Sequence, residues 1–134
     1  MRRWGKRSKR VYDTLDARLQ VVCDEILQNV CDISLTSGHR GRTQQNRYVA
    51  EGKSQLRYPH SKHNTNPSLA VDLMPYPLPK DDLNLGLALG LIAGAAGQIA
   101  CSKGFTPIWG GDWSGNGDFT KKRFIDAWHL EISE

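Results

Sequence analysis

The chain has 134 residues, enough for one compact domain and short of two. Apolar residues make up 39% and charged residues 24%, a globular composition that excludes a disordered polymer. The formal charge of +4 is unevenly placed: six of the 18 cations (Arg2, Arg3, Lys6, Arg7, Lys9, Arg10) lie in the first ten residues, which hold no acid, and the other 12 face all 14 acids. A uniformly basic domain that tracks phosphates is therefore excluded, and nucleic acid is not an expected partner.

Residues 1–12 read as a basic N-terminal tail and 13–134 as the folded domain. Deleting residues 1–10 is then expected to leave the domain working. The three cysteines, Cys23, Cys31 and Cys101, form no CxxC pair, which points to reduced thiols rather than a disulfide framework. The basic start runs into Val11-Tyr12-Asp13-Thr14 rather than an apolar stretch, so no signal peptide is read and synthesis in the cytoplasm is expected.

In chain order, residues 13–30 predict an amphipathic helix. Leu15, Leu19, Val22, Ile26 and Val30 recur at helical steps, with Asp13 or Thr14 as cap. Ile33 to Thr36 predicts a strand ending at Ser37-Gly38, and residues 43–51 a second helix stopped by Gly52. A polar loop spans 53–67. Leu69-Ala70-Val71-Asp72-Leu73 then alternates as a strand, with Leu69, Val71 and Leu73 facing the core and Asp72 the opposite side.

Residues 83–103 predict a long helix. Its 19 uncharged residues, Leu83 to Cys101, are long enough for a bilayer. Asn84 and Gln98 inside the run favour a core helix instead, in which Gly86, Gly90 and Gly94 allow close packing against a neighbour. No membrane span is expected. Phe105 to Trp109 predicts another strand, Gly110 to Gly117 a glycine-rich loop, and Ala127 to Ile132 a last strand with Trp128 and Leu130 inward. Mixed helices and strands without a βαβ rhythm make the class α+β: one domain, a small antiparallel sheet packed by helices.

The chemistry-bearing residues gather in two segments. Ser61-Lys62-His63 is followed nine residues after the histidine by Asp72, and Asp126-Ala127-Trp128-His129-Leu130-Glu131 lies near the end. Two imidazoles and a carboxylate (His63, Asp72, His129) are the ligand types of a catalytic zinc with an open position. A further carboxylate would move the proton. On strand periodicity Glu131 shares a face with His129, whereas Asp126 must enter from a bend, so both remain candidates for that role. The HExxH motif is absent. His60 is read as no ligand and His39 as a neighbour of Arg40.

Ser61-Lys62-His63, Ala70-Val71-Asp72 and Asp126-Ala127-Trp128-His129 resemble the Ser-x-His…Ala-x-Asp and Asp/Glu-x-x-His segments of the zinc D-Ala-D-Ala carboxypeptidase and L-alanyl-D-glutamate endopeptidase family, closest to its small phage endolysins. Ser37-Gly38-His39-Arg40 resembles the family's Gly-x-Arg turn, followed by Gln44, Gln45 and Gly52-Lys53-Ser54. Gly110-Gly111-Asp112-Trp113 resembles a loop of the phage branch. The chain departs from the compact motif in a longer His-to-Asp spacing, with Pro67-Ser68 where a glycine would stand.

The resemblance implies the hedgehog/DD-peptidase-like fold and Zn2+ held by His63, Asp72 and His129. It implies Asp126 as general base and acid, Arg40 on the scissile carbonyl, and Ser61 as a supporting residue near the metal. Asp112 is read as holding the glycine-rich loop, with substrate contact as the alternative, and Trp113 as packing or part of a groove wall. The implied substrate is the stem peptide of peptidoglycan, cut between L-Ala and D-Glu by a monomeric lysin released at lysis. A D-Ala-D-Ala carboxypeptidase, or a non-catalytic zinc-containing binding module on the same fold, are the alternatives.

Overall fold

The computed structural model describes residues 1–133; Glu134, the end of the expected domain, lies outside them. The basic N-terminal segment does not trail as a tail. Lys6–Tyr12 forms helix α1, packed on strand β1 (Ile33–Ser37). Among the cations runs a second pattern, Trp4, Ser8 and Val11 at helical spacing, and this side faces the protein. Ser8 is buried and its Oγ accepts from the Leu35 amide at 3.0 Å. Trp4 Nε1 and the Tyr12 hydroxyl both donate to the Asp24 carboxylate, at 3.0 and 2.6 Å. Arg3, Lys6, Arg7 and Arg10 stay in solvent.

Helix α2 (Ala17–Asn29) starts later than periodicity suggests, because Asp16 rather than Asp13 or Thr14 caps it, accepting from the Arg18 amide. Its buried side, Leu19, Val22, Cys23, Ile26 and Leu27, fills the core against helix α4 (Asp82–Ser102) and the sheet. Each such aliphatic side chain contributes about 1.5–3 kcal/mol on burial. Helix α3 (Arg42–Ala50) stops before Gly52, whose φ of 76° suits glycine. A 3-10 turn, Lys62–Asn64, precedes strand β2 (Ala70–Pro75).

With β3 (Ile108–Trp109) and β4 (His129–Glu131), these strands make a four-stranded antiparallel sheet in the order β1-β2-β4-β3. Strand β3 is shorter than the expected Phe105–Trp109, and β4 shorter than Ala127–Ile132. The chain before β4 bends at Ala127-Trp128, so Trp128 is 40% exposed rather than in the core, while Leu130 is buried as expected. Leu69, Val71 and Leu73 face the core together.

Helix α4 is long and apolar enough to cross a membrane, yet Leu89, Ile92, Ala96 and Ala100 bury one side of it in the core. A span would also pull Asp72 and His129, which face each other across paired strands, apart. The glycines of α4 do not mediate packing as the sequence suggests. A Cβ at Gly86, Gly90 or Gly94 would meet nothing within 4 Å, because these positions lie on the outer face with Leu83, Leu87 and Leu91.

Candidate active site

Strands β2 and β4 pair so that Asp72 lies directly opposite His129, on the sheet face away from the core. His63 reaches the same point from the 3-10 turn. There Ser61 and Asn64 form a reciprocal cap, with Ser61 Oγ accepting from the His63 amide at 3.2 Å. At the end of β1 the register with β2 shifts between Leu35 and Ser37. Such a bulge re-aims the chain that follows, and here it carries Gly38 and Arg40 towards Asp72.

His63 Nδ1 lies 2.7 Å from the Gly38 carbonyl oxygen, which fixes the ring proton there and leaves Nε2 as an acceptor. His129 Nε2 lies 2.9 Å from Glu131 Oε1, which in the same way leaves Nδ1 as an acceptor. These two free nitrogens are 3.2 Å apart, and they stand 3.2 and 3.1 Å from Asp72 Oδ1. Three acceptors thus converge within 4.8 Å of one another, all on buried residues. Neutral imidazoles supply no hydrogen between them, so the arrangement needs a cation or an added proton. The donor set of two nitrogens and one carboxylate oxygen fits a divalent metal, and the fixed ring orientations match metal-binding histidines generally.

The electrostatics agree. Burial alone would raise the Asp72 carboxyl, but hydrogen bonds with His129 and His63 hold it well below the ordinary carboxylate range. Burial would lower His129, yet Asp72 and Glu131 push it up to about 9. The Asp72 shift keeps that carboxylate ionised, and the His129 shift shows that the acids around the ring favour added positive charge there. The other Asp72 oxygen accepts from Arg40 Nη2 at 2.8 Å. Arg40 is itself buried, braced by Ser37 Oγ, Gln45 Oε1 and the Tyr48 ring.

Asp126 is brought in by the bend that periodicity demanded. Its amide donates to the Gly110 carbonyl at 2.9 Å, its carbonyl accepts from the His129 amide, and the Gly110 amide donates back to the His129 carbonyl. A Cβ on Gly110 would run into the Asp126 carbonyl, so this lock requires glycine. Burial first, and then the charge of Asp72, raises the Asp126 carboxyl above its ordinary value.

A cavity of about 740 Å³ opens over these groups, lined among others by Arg40, Ser61, Trp113 and Asp126 beside the three convergent residues. Trp113 stacks on Phe124 and lies 5.2 Å from the His129 ring, making a wall. Asp112 is not on this cavity: its Oδ2 accepts from the Gly117 amide and ties the glycine-rich loop. His60 is exposed and outside the cluster, and His39 Nδ1 meets the Thr65 carbonyl.

Sequence reasoning gave little weight to Gln45. It is fully buried, bonding Arg40, Asn64, Ser54 and the Leu56 carbonyl, and so links the loop after α3 to the site. Its only signal was a polar residue on a helix whose neighbours face water. Glu131, considered as a proton carrier, instead holds His129.

No curated protein matches the sequence. Among solved structures, the L-Ala D-Glu endopeptidase ChiX of Serratia marcescens has the same fold, with a TM-score of 0.72 and 24% identity over 98% of this chain and 90% of that one. A family model described as phage L-alanyl-D-glutamate peptidase matches residues 1–133. With the α+β fold and the converging His-Asp-His group in place, the chain belongs to the phage L-alanyl-D-glutamate peptidase family and is a peptidoglycan endopeptidase.

Proposed function

We propose that the chain is a zinc-dependent lysin that hydrolyses the L-Ala–D-Glu bond of the peptidoglycan stem, with His63, Asp72 and His129 as the metal ligands. The observation that carries this reading is the convergence of two imidazole nitrogens and a carboxylate oxygen on one point, each ring held by a partner on its other nitrogen. A zinc ion there supplies Lewis acidity and an activated water. The residues of the chain do the rest.

Asp126, raised and half-buried on the cavity wall, is the general base that takes a proton from the attacking water. The same carboxyl then gives that proton to the leaving amine of D-Glu, so it ends the cycle as it began. Arg40 pins the outer oxygen of Asp72 and holds a fixed positive charge on the cavity wall, where the scissile carbonyl gains negative charge. Ser61 keeps the His63 turn in shape, and Trp113 bounds the groove.

The test is mass spectrometry of products from purified peptidoglycan incubated with zinc-loaded protein, with a chelated control. Stem fragments beginning at D-Glu, absent with chelator, are expected. Free D-Ala instead would assign a carboxypeptidase. The Asp126→Asn variant is expected to bind zinc as the parent does and to lose cleavage by a factor on the order of 10² or more. Near-parental turnover in that variant would remove Asp126 from the mechanism. The protein acts on the wall and is released with lysis, a placement that rests on the phage family to which it belongs.

A further inference from the structure

The cavity is divided by charge. Its cations, Arg40, Lys53 and Lys62, come from the segment between β1 and β2, whereas two of its acids, Asp126 and Glu131, come from the β4 side. Asp72 lies between. A substrate lying across the three convergent residues therefore meets its proton carrier on one side and positive charge on the other.

The three cations are not equally free. Arg40 is buried and committed to Asp72, Ser37 and Gln45. Lys53 lies in solvent, its Nζ 3.7 Å from Glu51 and 5.4 Å from the centre of the Tyr48 ring. Lys62 is half-buried on the cavity wall and pairs with no acid among the described residues. Its backbone is fixed, since its carbonyl accepts from the Leu69 amide and from Thr65 Oγ1. It lines the same cavity as His63 and Asp126, on a flexible four-carbon stem.

The bond cut by this family ends at glutamate, which has two carboxyl groups. Continuing the stem uses one, and the other remains free within a few bonds of the scissile nitrogen. We propose that Lys62 receives this free carboxylate and makes the enzyme selective for glutamate over its amidated form after the scissile bond. The proposal rests on the L-Ala–D-Glu reading above. A half-desolvated lysine is suited to the task because its charge-assisted contact is made only when the anionic substrate is present.

The experiment compares kcat/KM on two synthetic tripeptides, N-acetyl-L-Ala-D-Glu-L-Lys joined through the side-chain carboxyl of D-Glu as in the stem, and the same peptide with the free D-Glu carboxyl as a primary amide. Wild-type protein is expected to prefer the acid about tenfold, the size of one charge-assisted contact in a partly open site. Lys62→Gln should lose that preference through a raised KM for the acid while cleaving the amide as before. Lys62→Arg should keep it, and so should Lys53→Met. Equal cleavage of both peptides by wild type, or a preference that survives in Lys62→Gln, overturns the proposal. So does loss of the preference in Lys53→Met. Cleavage of neither peptide by the zinc-loaded wild type overturns the peptidase reading itself, and is thereby distinguished from a misassigned lysine.

Discussion

Glu131 shows what a single side chain can decide in this site. By accepting from His129 Nε2 it keeps the Nδ1 lone pair turned towards Asp72 and His63. Glu131→Ala is expected to weaken zinc binding ten- to a hundredfold, measured by competition with a chromogenic chelator. Glu131→Gln, which still offers an acceptor oxygen, should recover most of that loss. Equal affinities in all three proteins would leave Glu131 without a positioning role. That His63, Asp72 and His129 belong to one site was legible in the sequence, because Asp72 alternates out of an apolar strand and the histidines sit in recognisable segments. Their supports were not: Gly38 meets His63 across 25 residues, and Gln45 and Tyr48 brace Arg40 through a turn into α3 that hydrophobic periodicity does not register.

At the level of elements, the bend that carries Asp126 depends on an approach only glycine allows. Gly110→Ala is expected to displace the Asp126–His129 turn and cost activity far more than zinc affinity, read by assay beside a binding titration. The helices were legible where a wide apolar stripe marked them, as in α2, and blurred where caps or bends set the limits. Strand β4 is short because the chain must turn at Ala127-Trp128 to bring Asp126 round, a need that strand propensity cannot express. Helix α2 also makes a chemical prediction. Cys23 is wholly buried, and its thiol is pushed up to about 12 by desolvation and by the nearby Asp24, while Cys101 is exposed. A thiol reagent at neutral pH should therefore label Cys101 rapidly and Cys23 only on unfolding, as peptide mapping would show.

For the whole molecule, the N-terminal segment is the clearest departure from the sequence reading. Six cations in ten residues look like a solvated tail, but Trp4, Ser8 and Val11 anchor it to α2 and β1. Removing residues 1–12 is expected to lower the melting temperature by about 10 °C, through exposed apolar surface and the orphaned Leu35 amide. An unchanged melting temperature would restore the tail. The antiparallel α+β plan itself was legible, because alternating and helical apolar periods both survive in the chain. The order β1-β2-β4-β3 was not, since it joins strands more than fifty residues apart.

The three convergent residues also bear on the unfolded chain. His63 and Asp72 are nine residues apart, and Asp72 and His129 fifty-seven, so an ion bound by all three ties off a small loop and a large one that contains α4 and the glycine-rich segment. Such a clasp favours the folded state by mass action, about 4 kcal/mol at a metal concentration a thousandfold above Kd, and calorimetry with and without chelator should show it as a raised melting temperature. Loss of the ion and loss of the fold then become linked events. In a wall rich in competing carboxylates, how long one molecule goes on cutting would be set by how slowly it lets its metal go.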